Sequence, residues 1–240
     1  MYFLKFLTFC LLPFFLYGQQ KINTTANNSP IEIYAEDGIE WHQKSHKYIA
    51  KGNTKTIRGE LELTSDILEA FYEEKKDSKS EIKLIKAKGN VIIKNKKALL
   101  TGGQKASYNI DKDYFLIIGD KLNLKSNNDE LKARKKIEYW DKENIAVATG
   151  NAIAKKVNKY LLKADKLVWY LAPNKNGREY EIVKIMGFDK VIIETENEVA
   201  FSDKALYNKK SEICKLFGNV RLKRGENFLT GEYAEMNLKT

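Results

Sequence analysis

The chain has 240 residues, a formal net charge of +10 and 31% charged residues. Its 43% of hydrophobic residues is enough for a packed core, which excludes an intrinsically disordered protein. The excess of basic over acidic residues favours an anionic partner. The high lysine content, with few arginines, can also reflect an AT-rich genome.

The N-terminus has the pattern of an export signal. Lys5 precedes an apolar run over residues 6–17, which is shorter than the ~20 residues of a membrane-spanning helix. We expect residues 1–18 to form a signal peptide that is cleaved after Gly18, or as late as Ala26. No later apolar run is long enough to span a bilayer as a helix.

Beyond the N-terminal segment, short runs alternate apolar and polar residues, which is the pattern of half-buried strands. Examples are residues 31–35, 60–63, 121–124 and 220–222. No window carries a helical stripe, and the best helical candidate, residues 66–74, also fits a strand. The pattern predicts an all-β protein.

A glycine followed by Asn or Asp recurs along the chain, with spacings of 37, 30, 31, 37 and 31 residues. Polar inserts at 75–80 and 173–179 account for the two long spacings, so the underlying period is ~30 residues. Both residue types tolerate positive φ and suit tight hairpins or bulges. The copies begin at Gly52, Gly89, Gly119, Gly150 and Gly218, with a weaker one at Gly187.

A second landmark recurs between the glycines, as at Ser65-Asp66 and Ser202-Asp203, where a small residue and an acidic residue precede an aromatic one. We expect each repeat to form a strand, a turn, a strand, a short connection and a third strand. One such unit cannot bury its apolar face alone, so stacked units share a continuous core. This predicts an elongated roll of about 14–16 antiparallel strands.

The residues two and four positions before each glycine are apolar in five copies, which predicts that they point inward. After Gly89, Val91 and Ile93 continue the same alternation of inward-pointing residues. Cys214 lies on this phase, so we expect a buried small hydrophobe rather than a reactive thiol. The inward set is Ile85, Ala87, Phe115, Ile117, Ala146, Ala148, Val183, Ile185, Cys214 and Leu216.

Enzyme, metal and nucleic-acid functions find little support. The sequence has no glycine-rich phosphate loop, no cysteine pair and no nucleophile–base set that stands out. His42 and His46 are four residues apart with no third metal ligand in view. The tyrosines and the charge suit nucleic acid, but the export signal argues against it. We therefore expect no catalytic site, no metal and no cofactor.

The segment 29–36, the Gly-Asn-Val units and the Ala-Asp-x-Leu-x-Tyr segments together resemble the LptA/OstA-like family over residues 30–240. The resemblance implies an open β-jellyroll, or β-taco, whose apolar inner faces form a groove for the acyl chains of lipid A. It also implies a periplasmic lipopolysaccharide carrier that joins head to tail with its own copies and with LptC-like and LptD-like jellyrolls. Two alternatives stay open: an exported β-scaffold without lipid, and an LptC-like component anchored in the membrane.

The resemblance places Ile31, Ile33, Tyr108 and Ile110 in the groove, and the strand alternation adds further inward residues. The complete set of expected groove residues is Ile31, Ile33, Ile85, Val91, Ile93, Tyr108, Ile110, Phe115, Ile117, Leu122 and Leu124.

Overall fold

The computed structural model describes residues 29–74, 80–96, 98–126, 129–156, 160–173 and 180–238. The expected signal peptide and most of the two polar inserts lie outside these residues. Within the described part, the regular structure is β-strand apart from one 3-10 turn at Gln43–Ser45, which confirms the all-β prediction. No helix in these ranges has the length and apolarity needed to cross a membrane.

Sixteen antiparallel strands form one sheet, at the upper end of the predicted number. Residues 66–74, the best helical candidate in the sequence, belong to a strand. The strands are β1 (Ile31–Tyr34), β2 (Gly38–His42), β3 (Lys47–Arg58), β4 (Leu61–Glu74), β5 (Ser80–Lys94), β6 (Ala98–Asn109), β7 (Tyr114–Ile118), β8 (Leu122–Ser126), β9 (Asp129–Ala133), β10 (Lys136–Trp140), β11 (Ile145–Lys156), β12 (Tyr160–Pro173), β13 (Tyr180–Glu194), β14 (Val199–Asn208), β15 (Ile213–Arg224) and β16 (Asn227–Asn237).

The sheet folds over on itself because its long strands kink near their middle. In β6, residues 98–101 pair with β8, whereas residues 105–109 pair with β7. β11 is divided in the same way between β9 and β10. We call the half that contains β7 and β10 half-sheet I, the half that contains β8 and β9 half-sheet II, and the line of kinks between them the corner.

The Gly-Asn repeat forms the corner. In four copies both residues have positive φ, and each copy lies where the ladder register shifts. The pairs are therefore β-bulges that bend continuous strands, and not hairpin turns. For these four copies the expected turn between two strands is wrong, because one strand continues through the bulge; the Gly119 copy instead lies between the short strands β7 and β8. The four copies are Gly52-Asn53, Gly89-Asn90, Gly150-Asn151 and Gly218-Asn219.

The second landmark of the repeat braces the corner from the neighbouring strand. The Asn90 side-chain amide donates to both carboxylate oxygens of Asp66, at 3.0 and 3.1 Å, and Asn219 donates to Asp203 at 2.7 Å. A Cβ at Gly89 would lie 2.1 Å from Oδ2 of Asp66, so only glycine fits against this carboxylate. The Gly-Asn pair and the acidic landmark are thus one structural unit that spans two strands.

The repeat pattern misplaces the corner of β13 at Gly187. Here the two residues with positive φ are Asp189 and Lys190, and the register shifts at the same place. Gly187 instead faces the core, where a Cβ would lie 3.3 Å from Val191 and 3.5 Å from Leu167. Aspartate visits the left-handed region more readily than most residues, so a corner does not strictly require glycine.

One apolar core fills the space between the two half-sheets. Most of the predicted inward set is buried, and Cys214 is fully enclosed, so that burial raises the pKa of its thiol to about 12. Val183 is an exception to the prediction. An irregularity in the β12–β13 ladder shifts the phase, and Ile182 packs against the core instead.

The fold is elongated, as predicted. Thirteen strands follow one another along the main path of the sheet. At a strand spacing of ~4.8 Å this path is roughly 60 Å long, whereas a half-strand of about six residues spans only ~20 Å. The space between the half-sheets is therefore a long, narrow seam that runs beside the corner.

Replacement of Gly102 by alanine tests the close approach at the corner. Gly102 has φ +80°, and a Cβ there would lie 2.1 Å from the backbone carbonyl oxygen of Lys121, which cannot rotate away. We expect Gly102→Ala to lower the free energy of unfolding by about 3 kcal/mol or more. The measurement is urea-induced unfolding followed by circular dichroism.

Gly225→Ala is the matched control. Gly225 has φ +58° but no atom within 4 Å of the added Cβ, so this change introduces backbone strain alone. We expect a loss of about 1 kcal/mol. Equal losses for the two variants would show that the corner does not depend on close backbone contact.

Candidate functional site

The structure brings all eleven expected groove residues to the inner faces of the half-sheets. Five of them are buried and six are partly buried against the same core cluster. Half-sheet I contributes the residues of β7 and of the adjoining parts of β5 and β6, and half-sheet II contributes those of β1, β8 and the other part of β5. The two sets face each other across the seam.

The seam also continues beyond the expected residues. The expected groove residues end at Leu124, yet the C-terminal half lines the same seam with equally buried side chains. In the sequence they follow the same alternation of apolar and polar residues that identified Ile85 and Ile117. The additional residues are Leu162, Leu167, Trp169, Ile193, Leu216 and Met236, each at most 4% exposed.

The seam is filled by its own side chains in this structure. A cavity of about 20 Å³ lies between the half-sheets, bounded by Leu61, Leu63, Ile85 and Phe115 among others. That volume holds about one water molecule and is too small for an acyl chain. The seam is therefore closed where this cavity lies.

The long side of the seam opposite the corner is closed by side chains and not by backbone pairing. Among the described residues, strand pairing runs from β1 to β16 and forms no ladder that returns across this side. We call this side the mouth. Its closure depends on contacts between the strand ends that lie farthest from the corner.

Three residues close the mouth in the N-terminal half. Arg58 ends β3 in half-sheet II, and its Nη1 donates to the hydroxyl of Tyr108 in half-sheet I at 2.5 Å. The Tyr108 hydroxyl donates in turn to Oδ1 of Asp113 at 3.2 Å, and its ring stacks on Phe115 with centroids 3.9 Å apart. We call Arg58, Tyr108 and Asp113 the latch.

The latch places two opposite charges in the core with a neutral hydroxyl between them. Arg58 is 7% exposed and Asp113 is 4% exposed. Burial raises the pKa of Tyr108 to about 12, with the positive charge of Arg58 opposing this shift and Asp113 adding to it. The hydroxyl therefore stays protonated at neutral pH and can donate to Asp113. Asp113 is also paired with Lys142 at 3.8 Å. Breaking the chain while it is buried is costly, because Arg58 and Asp113 each lose a hydrogen bond inside the core.

A second contact crosses the mouth in the C-terminal half. The rings of Tyr160, at the start of β12 in half-sheet II, and Tyr207, in the half-sheet I part of β14, have centroids 5.4 Å apart. Burial is the largest cause of the raised pKa of Tyr160, followed by the proximity of Tyr207. The mouth is thus bridged by polar aromatic side chains in both halves of the chain.

The two ends of the sheet leave apolar side chains uncovered. Half of the large hydrophobic residues that are exposed in the described chain lie on the edge strands β1, β2 and β16. Leu229 pairs with Leu222 on the inward phase but is 68% exposed, because no further strand covers it. The six residues are Tyr34, Ile39, Trp41, Phe228, Leu229 and Tyr233.

The two histidines contact different partners. Nε2 of His42 lies 2.9 Å from a carboxylate oxygen of Glu40, and the His46 ring stacks on Tyr72 with centroids 5.6 Å apart. The described residues contain no group of three or more potential metal ligands.

Comparison with known proteins identifies a matching family. The family described as "LptA/(LptD N-terminal domain) LPS transport protein" matches the chain twice, at residues 32–139 and 132–240. No curated protein matches the chain. Among solved structures, one similar chain is LptH, the LptA homologous periplasmic component of the conserved lipopolysaccharide transport device from Pseudomonas aeruginosa. It is 16% identical with a TM-score of 0.44, over 52% of this chain and 85% of that one.

The two family matches together extend from residue 32 to residue 240, and they confirm the resemblance stated from the sequence. The chain belongs to the family of LptA and LptD N-terminal domain proteins, which are lipopolysaccharide transport proteins.

Proposed function

We propose that this protein carries lipopolysaccharide through the periplasm with the acyl chains of lipid A inserted between its half-sheets. The observation that carries the proposal is the continuous apolar seam, whose long side is closed by side chains alone. A carrier of this kind needs shielding and no chemical step, so the proposed role is not enzymatic.

The driving force is the removal of acyl chains from water. Each buried CH₂ group contributes ~0.8 kcal/mol, so a chain of about twelve carbons gains roughly 10 kcal/mol before ordering costs. The seam must part to admit it, since the internal cavity measures only about 20 Å³. The free-energy cost of separating the half-sheets is offset, because the acyl chains then cover the side chains that faced each other in the closed seam.

Opening at the mouth leaves the backbone ladders intact. The corner holds the half-sheets together through continuous strands, whereas the mouth is bridged by the latch and by the Tyr160–Tyr207 contact. The half-sheets can therefore rotate apart about the corner once these side-chain contacts break. The lipid headgroup remains outside the mouth in this arrangement.

The exposed edges suit head-to-tail joining. Among the described strands, β1 and β16 each pair with one neighbour and form the two ends of the sheet, so that strand addition between copies would continue the sheet and the seam together. The inward Leu229 would then be covered by the next copy. The same edges are suited to LptC-like and LptD-like jellyroll partners.

Photo-crosslinking at inward positions tests the carrier role. We expect a photoreactive residue at Ile33 or Ile93 to capture lipopolysaccharide, because both side chains pack against the core cluster of the seam. The sequence neighbours Tyr34 and Ile92 are 52% and 37% exposed on the opposite face and serve as matched controls. The readout is lipopolysaccharide immunoblotting of the crosslinked protein.

Failure at both inward sites would favour an exported scaffold without lipid cargo. The second alternative, an LptC-like component anchored in the membrane, is separated by sequencing the N-terminus of the mature protein. A retained segment at residues 1–18 would support the anchor.

Tyr108→Phe tests the latch. The change removes one hydroxyl but keeps the ring that stacks on Phe115, so Arg58 and Asp113 lose their common partner. We expect the free energy of unfolding to fall by about 1–3 kcal/mol and lipopolysaccharide uptake to become faster. Stopped-flow fluorescence with labelled lipopolysaccharide measures the uptake.

Tyr114→Phe is the control for the latch. Tyr114 also loses a single hydroxyl contact, 2.9 Å from Glu138, but that contact lies on the outer face of half-sheet I. We expect its uptake rate to equal that of the unmodified protein. Equal rates for all three proteins would rule out the latch as a barrier to opening.

Lysines at the exposed edge test head-to-tail joining. We expect Phe228→Lys together with Leu229→Lys to prevent concentration-dependent rods, because charge on an edge strand opposes strand addition. Tyr180→Lys is the control, since Tyr180 is 55% exposed but lies on β13 inside the sheet. Small-angle X-ray scattering over a concentration series measures rod length, and rods of equal length in both variants would contradict the proposal.

A further inference from the structure

The outer face of half-sheet I carries a shallow depression of about 550 Å³, on the side of β3–β7 that faces away from the seam. Its volume lies within the range of ligand sites, although nothing in the proposed carrier role uses it. Four aliphatic and three basic side chains dominate its lining. They are Ile49, Ile67, Leu116, Ile118, Lys86, Lys88 and Lys105.

The lysines and the aliphatic residues are arranged in order across neighbouring strands. The ladder registers place Ile67 opposite Lys88, Lys88 opposite Lys105, and Lys105 opposite Ile118. The two isoleucines are 38% and 41% exposed. Two adjacent ammonium groups therefore stand between two exposed aliphatic side chains.

None of the three lysines forms an ion pair with a carboxylate in the described part of the chain. The ammonium of Lys86 instead lies 5.0 Å from the centre of the Phe71 ring. Glu69, the one acidic residue that lines the depression, is paired with Lys47 at 2.5 Å. The depression therefore has a positive charge that its own residues do not neutralise.

The nearby corner carboxylates are engaged elsewhere. Asp66 accepts hydrogen bonds from Asn90, and Asp120 accepts one from Gln104 at 2.7 Å. Neither lies within ion-pair distance of Lys88 or Lys105 among the described contacts. These carboxylates therefore weaken the positive potential of the depression only at long range, without direct ion pairs.

Lysines on the outer face of half-sheet II offer a comparison with these three. There the lysines alternate with glutamates and pair with them, as for Lys94 with Glu62 at 3.0 Å and Lys132 with Glu130 at 3.2 Å. Such ion pairs also occur in half-sheet I, as for Lys136 with Glu138 at 2.9 Å, but the described contacts include none for Lys86, Lys88 or Lys105. These three lysines therefore differ from their paired neighbours in carrying a charge that is not neutralised locally.

We propose that this depression docks the protein on the headgroup phosphates of an anionic lipid bilayer. The unpaired ammonium groups suit phosphate oxygens, and Ile67 and Ile118 suit the boundary between headgroups and acyl chains. The depression lies on the outside of half-sheet I, so a bound bilayer does not cover the mouth. This inference goes beyond the carrier role and does not depend on it.

Vesicle flotation of the mature protein, without the expected signal peptide, tests the proposal. We expect binding to vesicles that contain phosphatidylglycerol and not to vesicles of phosphatidylcholine alone. Each lysine near an anionic surface contributes about fivefold in partitioning, so Lys88→Gln with Lys105→Gln should weaken binding about 30-fold. The control Lys94→Gln with Lys132→Gln removes the same charge from half-sheet II and should bind like the unmodified protein. Urea unfolding midpoints verify that both variants fold.

Three results would overturn the proposal: equal losses in the two double variants, equal binding to neutral vesicles, or complete competition by soluble polyglutamate at matched charge, which would indicate an acidic protein partner. The carrier role is tested separately, because crosslinking of lipopolysaccharide at Ile33 should be unchanged in the Lys88→Gln, Lys105→Gln variant. If the unmodified protein gave no such crosslink, the carrier role would be contradicted and the bilayer-docking proposal would be unaffected.

Discussion

The structure depends on an asymmetry between the two long sides of its apolar seam. At the corner, the half-sheets are joined by continuous strands, and the Asn90–Asp66 and Asn219–Asp203 bonds hold neighbouring strands in register there. At the mouth, only side chains meet. Backbone ladders separate cooperatively, whereas side-chain contacts break one at a time, so the opening that we propose would hinge at the corner and part at the mouth.

The closed seam also explains why polar groups lie inside an apolar core. Thr56 and Arg58 face inward at the end of β3, so that the core near the mouth is partly polar, whereas the inward Thr54 lies beside the corner and bonds to Ser65. A purely apolar mouth would close with nothing to set the alignment of the half-sheets. The hydrogen bonds of Arg58 fix this alignment, and they are lost only when the strand ends move apart.

Local features of the sequence predicted the strands, the inward phase and the period, because each depends on residues that are close in the chain. The bulge at Gly89-Asn90 was not distinguishable from a hairpin turn, since both use positive φ, and the choice depends on Asp66 of the neighbouring strand. The latch was missed for a different reason. In β3 the alternation is reversed, with Ile57 on the outer phase and Arg58 inside, so that the pattern hides a polar inward face. The unpaired lysines of half-sheet I needed the register of four strands, which no local pattern contains.

The double family match has a mechanical consequence. The two matched stretches overlap at 132–139, and the ladder between β10 and β11 joins the halves through ordinary backbone pairing and a covalent chain. A junction of this kind cannot dissociate on dilution, whereas a junction between separate molecules is governed by their concentration. Under the head-to-tail joining proposed above, a span of such double-length chains would need fewer breakable joints for the same reach, and its lifetime would be set by fewer dissociation events.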